Sequence, residues 1–431
     1  GQYLTRLHLD LGFFSHPLQQ LPCKDLLDLK LTGRCEEEIE ATCGFRDVIQ
    51  GCPKLTWLEL DCNISDPKGA FVDCLCSLVH LQHLEVITYE PYTEMPAAAM
   101  LHLNQLTYLN FEKLSLGSLS DLGNLTNLQE LHLVVADDDV AVGPGSVTGL
   151  ALPASLETLV LVSSVEAAIL SLAPPGLQDL RIGWDVEGPE EGPDSFLCHV
   201  GRMQNLTRLS LQSSHTLDWP TSGPAYSALT ASSNLIVLEL CDAHFPRGIW
   251  PHVFPDSRKL PHLTALVVSG SIDNGEFISP PPWCAADLRS LVSCCPSLCE
   301  LETDCVQPGL DVSELHKLTS LTRMFLAYCF GLDSLDIVTD CMRGLSAVTQ
   351  LHSLLLFTYI PERSPACLWP LTSLTTLTSL DCKWRDVSGF SLCTQVNIWL
   401  HAVGNLAILR FTWANASPHL DWMLDIPMGT A

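Results

Sequence analysis

The sequence predicts an α/β solenoid, a single coil of about sixteen short repeats with a parallel β-sheet along one face. Three observations carry that expectation. In the stretch 51–63, GCPKLTWLELDCN, the residues Leu55, Leu58 and Leu60 stand at offsets 0, +3 and +5. Two of them alternate along a short strand and the third enters at its start, so all three point one way while Trp57, Glu59 and Asp61 point the other. The same pattern recurs sixteen times, allowing Ile, Val, Met, Phe, Thr or Cys at a core position. Its spacing runs from 21 to 35 residues and averages about 27, as a repeat needs if each strand is to be buried by copies of itself.

The first leucines of the sixteen strands are Leu4, Leu26, Leu55, Leu81, Leu106, Leu128, Leu156, Leu177, Leu206, Leu235, Leu263, Leu298, Leu321, Leu351, Leu377 and Leu406. Longer connections carry helix signals. Ser65-Asp66-Pro67 offers a cap before a proline in the first turn, followed by Phe71, Cys74, Leu75 and Leu78 at helical spacing. Residues 36–50 have acidic groups where a helix begins, and 287–294 and 333–345 also read as helices. The short steps from Leu106 to Leu128 and from Leu156 to Leu177 leave room only for a turn or one 3-10 turn. Residues 137–155, 185–194, 213–225, 245–259 and 275–282 are polar or rich in Pro and Gly and read as loops. The solenoid is expected over 1–411, with 412–431 a C-terminal tail or cap built on Leu420, Trp422, Met423 and Leu424.

On these sixteen L-x-x-L-x-L segments the chain resembles a leucine-rich repeat protein over essentially its full length. The resemblance implies a horseshoe, with the parallel sheet on the concave face and mixed helices, 3-10 turns and loops on the convex face. The Asn or Cys that the family pattern places at offset +8 is met only at Asn63 and Cys329. Gly51-Cys52-Pro53-Lys54-Leu55 and Cys294-Cys295-Pro296-Ser297-Leu298 are similar to the cysteine-containing repeats of F-box leucine-rich repeat proteins. That likeness implies the substrate-recognition part of a ubiquitin ligase adaptor. The segments 315–321 and 371–377 resemble repeats of plant-type immune or receptor proteins instead. The chain opens directly on a repeat strand, GQYLTRLHLD, and so reads as a fragment; residues upstream would decide whether an F-box precedes it. That first strand could also pair with a second copy, which leaves the oligomeric state open.

Composition narrows the partners. Lys plus Arg number 22 against 49 Asp plus Glu, a formal charge of −27. Such a surface repels nucleic acid and anionic membranes and favours basic or neutral protein partners. No run of 18 apolar residues suits membrane insertion. The 19 cysteines fall largely at interior-looking positions, which suits a reduced, cytoplasmic setting better than a secreted one.

Chemistry-bearing motifs are not found. The sequence has no P-loop, no dinucleotide glycine fingerprint, no H-E-x-x-H and no G-x-S-x-G. The densest cysteine groups, Cys74 with Cys76 and Cys284 through Cys305, lack paired C-x₂-C spacing, so neither a metal nor a cofactor is expected. The chain reads as a non-catalytic scaffold that grips a protein or peptide on its open strand face. Offsets +2, +4 and +6 line that face. They supply Trp57, Glu59 and Asp61, then His83 and Glu85, then Tyr108 and Glu112, then Glu130. Aromatic side chains among carboxylates suit the anchoring of a basic partner. Further along, Glu300, Glu302 and Asp304 form a second acidic strand, and Phe325, Leu355 and Phe357 an apolar group beside it.

Overall fold

The architecture is that of a computed structural model. It describes residues 4–10, 24–32, 39–40, 48–61, 64–65, 74–87, 102–112, 122–134, 151–162, 167–184, 192–213, 223–241, 245, 248–273, 276–278, 283–304, 310–327, 335–358, 365–385, 408–414 and 423–427. The chain divides into two compact units, Gly1–Glu191 and Gly192–Ala431.

In the first unit the strands are β1 (Arg6–Asp10), β2 (Asp28–Thr32), β3 (Ile39–Glu40), β4 (Trp57–Asp61), β5 (Ile64–Ser65), β6 (His83–Ile87), β7 (Tyr108–Glu112), β8 (Glu130–Val134), β9 (Thr158–Val162) and β10 (Asp179–Trp184). Apart from β3 and β5, which pair with each other, they form one parallel ladder in chain order. The register aligns the +3 leucines into a column, Leu29, Leu58, Leu84, Leu109, Leu131, Leu159 and Leu180, all without solvent contact. Each is worth ~1.5–3 kcal/mol of burial, and only the repeats on either side supply that burial.

The second unit repeats the plan with β11 (Arg208–Ser213), β12 (Val237–Cys241), β13 (Ala265–Ser269), β14 (Ser271–Asp273), β15 (Glu276–Ile278), β16 (Glu300–Thr303), β17 (Arg323–Ala327), β18 (Ser353–Thr358), β19 (Ser379–Arg385), β20 (Ile408–Ala414) and β21 (Met423–Pro427). Here β14 and β15 make a separate antiparallel hairpin. The others run parallel up to β20, on which β21 folds back antiparallel. All sixteen expected repeat strands are therefore present. The last runs past Phe411 to Ala414, and Met423–Pro427 covers its outer edge.

Two backbone devices recur. Within each unit, among the described residues, the carbonyl one residue after a first leucine commonly accepts two N–H groups from the next repeat. Leu27 O, for example, receives Thr56 N at 2.8 Å and Trp57 N at 3.0 Å, and Thr56 O receives Gln82 N at 2.9 Å and His83 N at 3.0 Å. Immediately upstream, the N–H of most first leucines among the described residues closes a tight turn on the residue three before it, as from Leu55 to Cys52 O and from Leu106 to Leu103 O. Those residues, among them Cys52, Leu78, Leu103, Leu125, Leu260, Cys295, Leu318 and Leu374, are buried and add a fourth core position to their repeats. Where this place falls to Ser232, its hydroxyl donates instead to Gln204 O and Leu206 O, so the buried polar group stays bonded.

Away from the ladder the units differ. The first has helical turns at 48–50 and 74–76, a 3-10 turn at 122–124 and a helix Ala167–Ser171. The second carries helices Gly192–Val200, Trp250–Val253, Ala285–Cys294 and Leu335–Leu345, with 3-10 segments Gly223–Thr230, Val312–Lys317 and Pro365–Ser373. The helices read at 287–294 and 333–345 thus appear close to their expected bounds. Residues 36–50 do not form one helix, since Ile39 and Glu40 pair with Ile64 and Ser65; the residues after Ser65, up to 73, lie outside the described residues. The step from Leu156 to Leu177 does hold a short helix, and the loop readings at 245–259 and 275–282 contain Trp250–Val253 and β15. Trp250 stacks on Trp283 with centroids 4.1 Å apart beside Tyr226, Phe245 and Phe254. This apolar cluster gives those segments a core that their Pro-rich composition hides. Asn63 and Cys329, which carry the +8 pattern, lie outside the described residues.

The leucine column has a direct test. Leu84→Ala leaves a hole between Leu58 and Leu109 and is expected to lower stability by about 2–5 kcal/mol, read as an earlier urea midpoint by circular dichroism.

Candidate functional site on the open sheet face of the first unit

The alternation that buries the leucines turns offsets +2 and +4 outward, and the parallel register lines them up across strands. The +2 row reads Asp28, Trp57, His83, Tyr108, Glu130. Its three rings form a column. Trp57 and His83 stack with centroids 3.3 Å apart at 7°, and His83 and Tyr108 with centroids 3.9 Å apart at 5°. Parallel strands lie about 4.8 Å apart, so flat rings at matched positions have little choice but to stack. The column ends at His132, which reaches over from the +4 row and tilts at 54° to Tyr108.

The +4 row reads Lys30, Glu59, Glu85, Asn110, His132. Lys30 pairs with Glu59, and the hydrogen bond to Glu59 holds the ammonium pKa above its ordinary value. Glu85 accepts from Asn110 Nδ2 at 3.2 Å and faces His83 Nε2 at 3.7 Å. The His83 contact is the main cause holding the Glu85 carboxyl below the usual range, against the opposing effect of burial. His132 Nε2 and Glu130 Oε1 lie 2.7 Å apart. Tyr108, pressed between rings and flanked by Glu85 and Glu130, has its phenol pushed up to about 12, chiefly by burial. The arrangement is a stiff aromatic ridge beside a carboxylate row.

Of the residues singled out from sequence, the fold brings Trp57, Glu59, Asp61, His83, Glu85, Tyr108 and Glu130 onto four neighbouring strands. The side chains of Glu112 and Phe357 lie outside the described residues. In the second unit Glu302 stands between Val267 and Phe325 in register, with Leu355 next, and Glu300 meets Arg323 at 3.3 Å. Burial among these apolar neighbours, then Glu300 and Glu239, push the Glu302 carboxyl up. Asp304 is not on the open face. It is 6% exposed, because β16 ends at Thr303 and the carboxylate turns in to accept Gly270 N–H at 2.6 Å. Asn110 and His132 also join the first-unit site, from the +4 offsets that the alternation turns outward. Lys30 was not among the expected residues; the signal for it was register, since it continues the +4 row of the neighbouring repeat.

Elsewhere, a cavity of about 540 Å³ opens between Leu197–Arg202 and Pro224–Ala231. Its Arg258 is already engaged with the carbonyls of Ser227 and Thr230. Among the described residues no three His, Cys, Asp or Glu side chains converge as metal ligands do. Cys294 donates to Pro255 O at 3.0 Å, and burial pushes the Cys295 thiol up, as for packed rather than reactive cysteines. Among the described residues no helix is long and apolar enough to cross a membrane.

Solved structures share this architecture. An internalin from Listeria monocytogenes superposes with a TM-score of 0.50 at 17% identity, covering 90% of this chain and 88% of its own. The chain of the Toll–Spatzle complex from Drosophila, described as a molecular hub in development and innate immunity, gives 0.51 at 13% identity, covering 93% of this chain and 49% of its own. The chain has the leucine-rich repeat fold. At these identities the likeness is one of fold. No family profile matches the sequence, and no curated protein matches it.

Within a leucine-rich repeat sheet, the state of Tyr108 reports whether the column is intact. Folding favours its neutral phenol, a contribution full below the ordinary value near 10 and lost as pH rises through about 12. The phenolate absorbance difference between the wild type and Tyr108→Phe is therefore expected to stay flat at pH 10 and to rise only near 12.

Proposed function

We propose that the protein is a non-catalytic interaction scaffold whose first-unit sheet face holds a basic protein or peptide. The observation that carries this reading is the ring column Trp57–His83–Tyr108 lying alongside Glu59 and Glu85 on consecutive strands. The surface is preorganised. Its side chains are fixed by stacking and hydrogen bonds before any partner arrives, so little ordering cost falls on this side of the complex. The −27 charge steers basic segments toward it and repels nucleic acid. In the second unit, half-buried Phe325 and Leu355 lie next to each other in register and offer a contact for apolar side chains. No catalytic role is assigned to His83 or His132, each of which faces a carboxylate with no nucleophile beside it among the described residues.

A second reading is the substrate-recognition part of an F-box type adaptor. It rests on Cys52 and Cys295, which occupy the same buried turn position and accept from Leu55 N at 3.1 Å and Leu298 N at 3.2 Å. Either function is placed in a reducing, cytoplasmic compartment. Buried thiols such as Cys294 and Cys295 support that placement.

Binding of a labelled lysine homopeptide, followed by fluorescence anisotropy, tests the charge requirement. Glu59→Gln combined with Glu85→Gln is expected to weaken it roughly fivefold, from ~0.2–1 kcal/mol per exposed charge pair. Affinity unchanged by both substitutions would move the site elsewhere. For the compartment, a thiol count on denatured, unreduced protein is expected to approach 19, and a count far lower would indicate a secreted protein.

A further inference from the structure

The ring column is asymmetric, and the asymmetry selects a ligand. His83 is covered on both faces, by Trp57 and by Tyr108. Tyr108 meets His132 at its far end, and His132 is itself held by Glu130. Trp57 alone keeps a face without a ring against it among the described residues, and it is 41% exposed, on a sheet face where most aromatic surface is stacked away. That face turns toward β2, because stacking on His83 takes up the side toward β6. Directly across in register stands Asp28, and two residues along β4 stands Glu59.

An aromatic ring is negative over its face and positive at its edge. The stacked rings show solvent their edges, so a cation gains nothing along the ridge and is drawn to its open end. There the carboxylates of Asp28 and Glu59 add charge of the right sign. The chain's own basic groups mark the same preference. Arg6 Nε lies 3.5 Å from Asp28 while its side chain remains 85% exposed, and Lys30 is already committed to Glu59.

We propose that the free face of Trp57 is a seat for an arginine side chain of the partner, its guanidinium stacked on the indole and hydrogen-bonded to Asp28. The pocket takes arginine rather than lysine. A guanidinium is flat, weakly hydrated and able to extend a stack of planar rings while keeping its in-plane N–H groups for a carboxylate. An ammonium is a compact, strongly hydrated charge that gains less from an indole at an exposed site. Partner binding lengthens the column by one planar group and displaces Arg6 from Asp28.

This inference rests on the basic-partner reading above, and the experiment separates the two. Arginine and lysine homopeptides of equal length and charge are titrated against the full chain at physiological salt. The wild type is expected to bind the arginine peptide roughly five- to tenfold tighter than the lysine peptide, as a cation–π gain of ~1 kcal/mol requires. Trp57→Leu is expected to abolish that preference, so that the two peptides bind it with equal affinity. Trp369→Leu, at an exposed tryptophan of the second unit, is expected to leave the preference intact. Circular dichroism of each variant confirms folding, which an exposed Trp57 does not support. If neither peptide binds, the basic-partner reading falls and this inference with it. If both bind equally, or the preference survives Trp57→Leu, the seat is overturned while the wider reading stands.

Discussion

Everything in this protein hangs on one shared acceptor. Within each unit, the carbonyl after a first leucine takes two N–H groups from the next repeat in all but a few described repeats, and threonines at the same position often add a third donor. Thr56 Oγ1 reaches Leu27 O at 3.0 Å, and Thr107 Oγ1 reaches Gln82 O at 3.0 Å. A carbonyl has two lone pairs, so the arrangement saturates it and pins each strand's entry to the one before. Once that point is fixed, register follows, and with it the vertical alignment of every later side chain. A slip of one residue would turn the leucines of a strand out to solvent. The ladder therefore tolerates very different backs, a five-residue helix in one repeat and an eleven-residue helix in another, because none of them sets the alignment.

The strands were legible from sequence because their signal is local. Leucines at 0, +3 and +5 describe one short strand completely, and each of the sixteen segments forms one. The fourth core position, three residues before the first leucine, was equally present in the sequence as Leu78, Leu103, Leu125, Leu318 or Leu374. It escaped notice because its occupants vary in chemistry, from Cys52 and Pro153 to Met203 and Ser232, while sharing only a place in a tight turn. The backs of the repeats were read less well for a different reason. Acidic groups near residue 36 are a fair helix-start signal, yet Ile39 lies in a short strand that pairs with Ile64 instead. That contact lies between repeats and leaves no mark within either segment.

The candidate site shows the same division. Each of Trp57, Glu59, Glu85 and Tyr108 was assigned to the open face by alternation alone. That His83 would be sandwiched between two rings could not be read from its own repeat, because stacking depends on which +2 positions the register sets side by side. Lys30 was not singled out, although register puts it against Glu59. Asp304 shows the reverse error. It keeps the alternating offset, but the strand ends one residue earlier and the carboxylate serves a neighbouring backbone N–H. Pattern rules hold only as far as the ladder does.

The two sheet faces also differ in how they dispose of their negative charge. In the second unit, acidic positions meet arginines from adjacent strands, Glu239 with Arg208 and Glu300 with Arg323. The carboxylate left among apolar neighbours, Glu302, has its pKa raised, so its charge is disfavoured there. In the first unit Lys30 meets Glu59 and Arg6 meets Asp28 in the same way, while Glu85 and Glu130 face histidines. Hydrogen bonding keeps Glu85 ionised instead of driving it neutral. Lys30, on the same row, adds to that preference, so Glu85 stays charged beside the column of rings. The two faces thus hold their carboxylates differently, Glu85 kept charged beside stacked rings and Glu302 disfavoured in its charged form among apolar side chains.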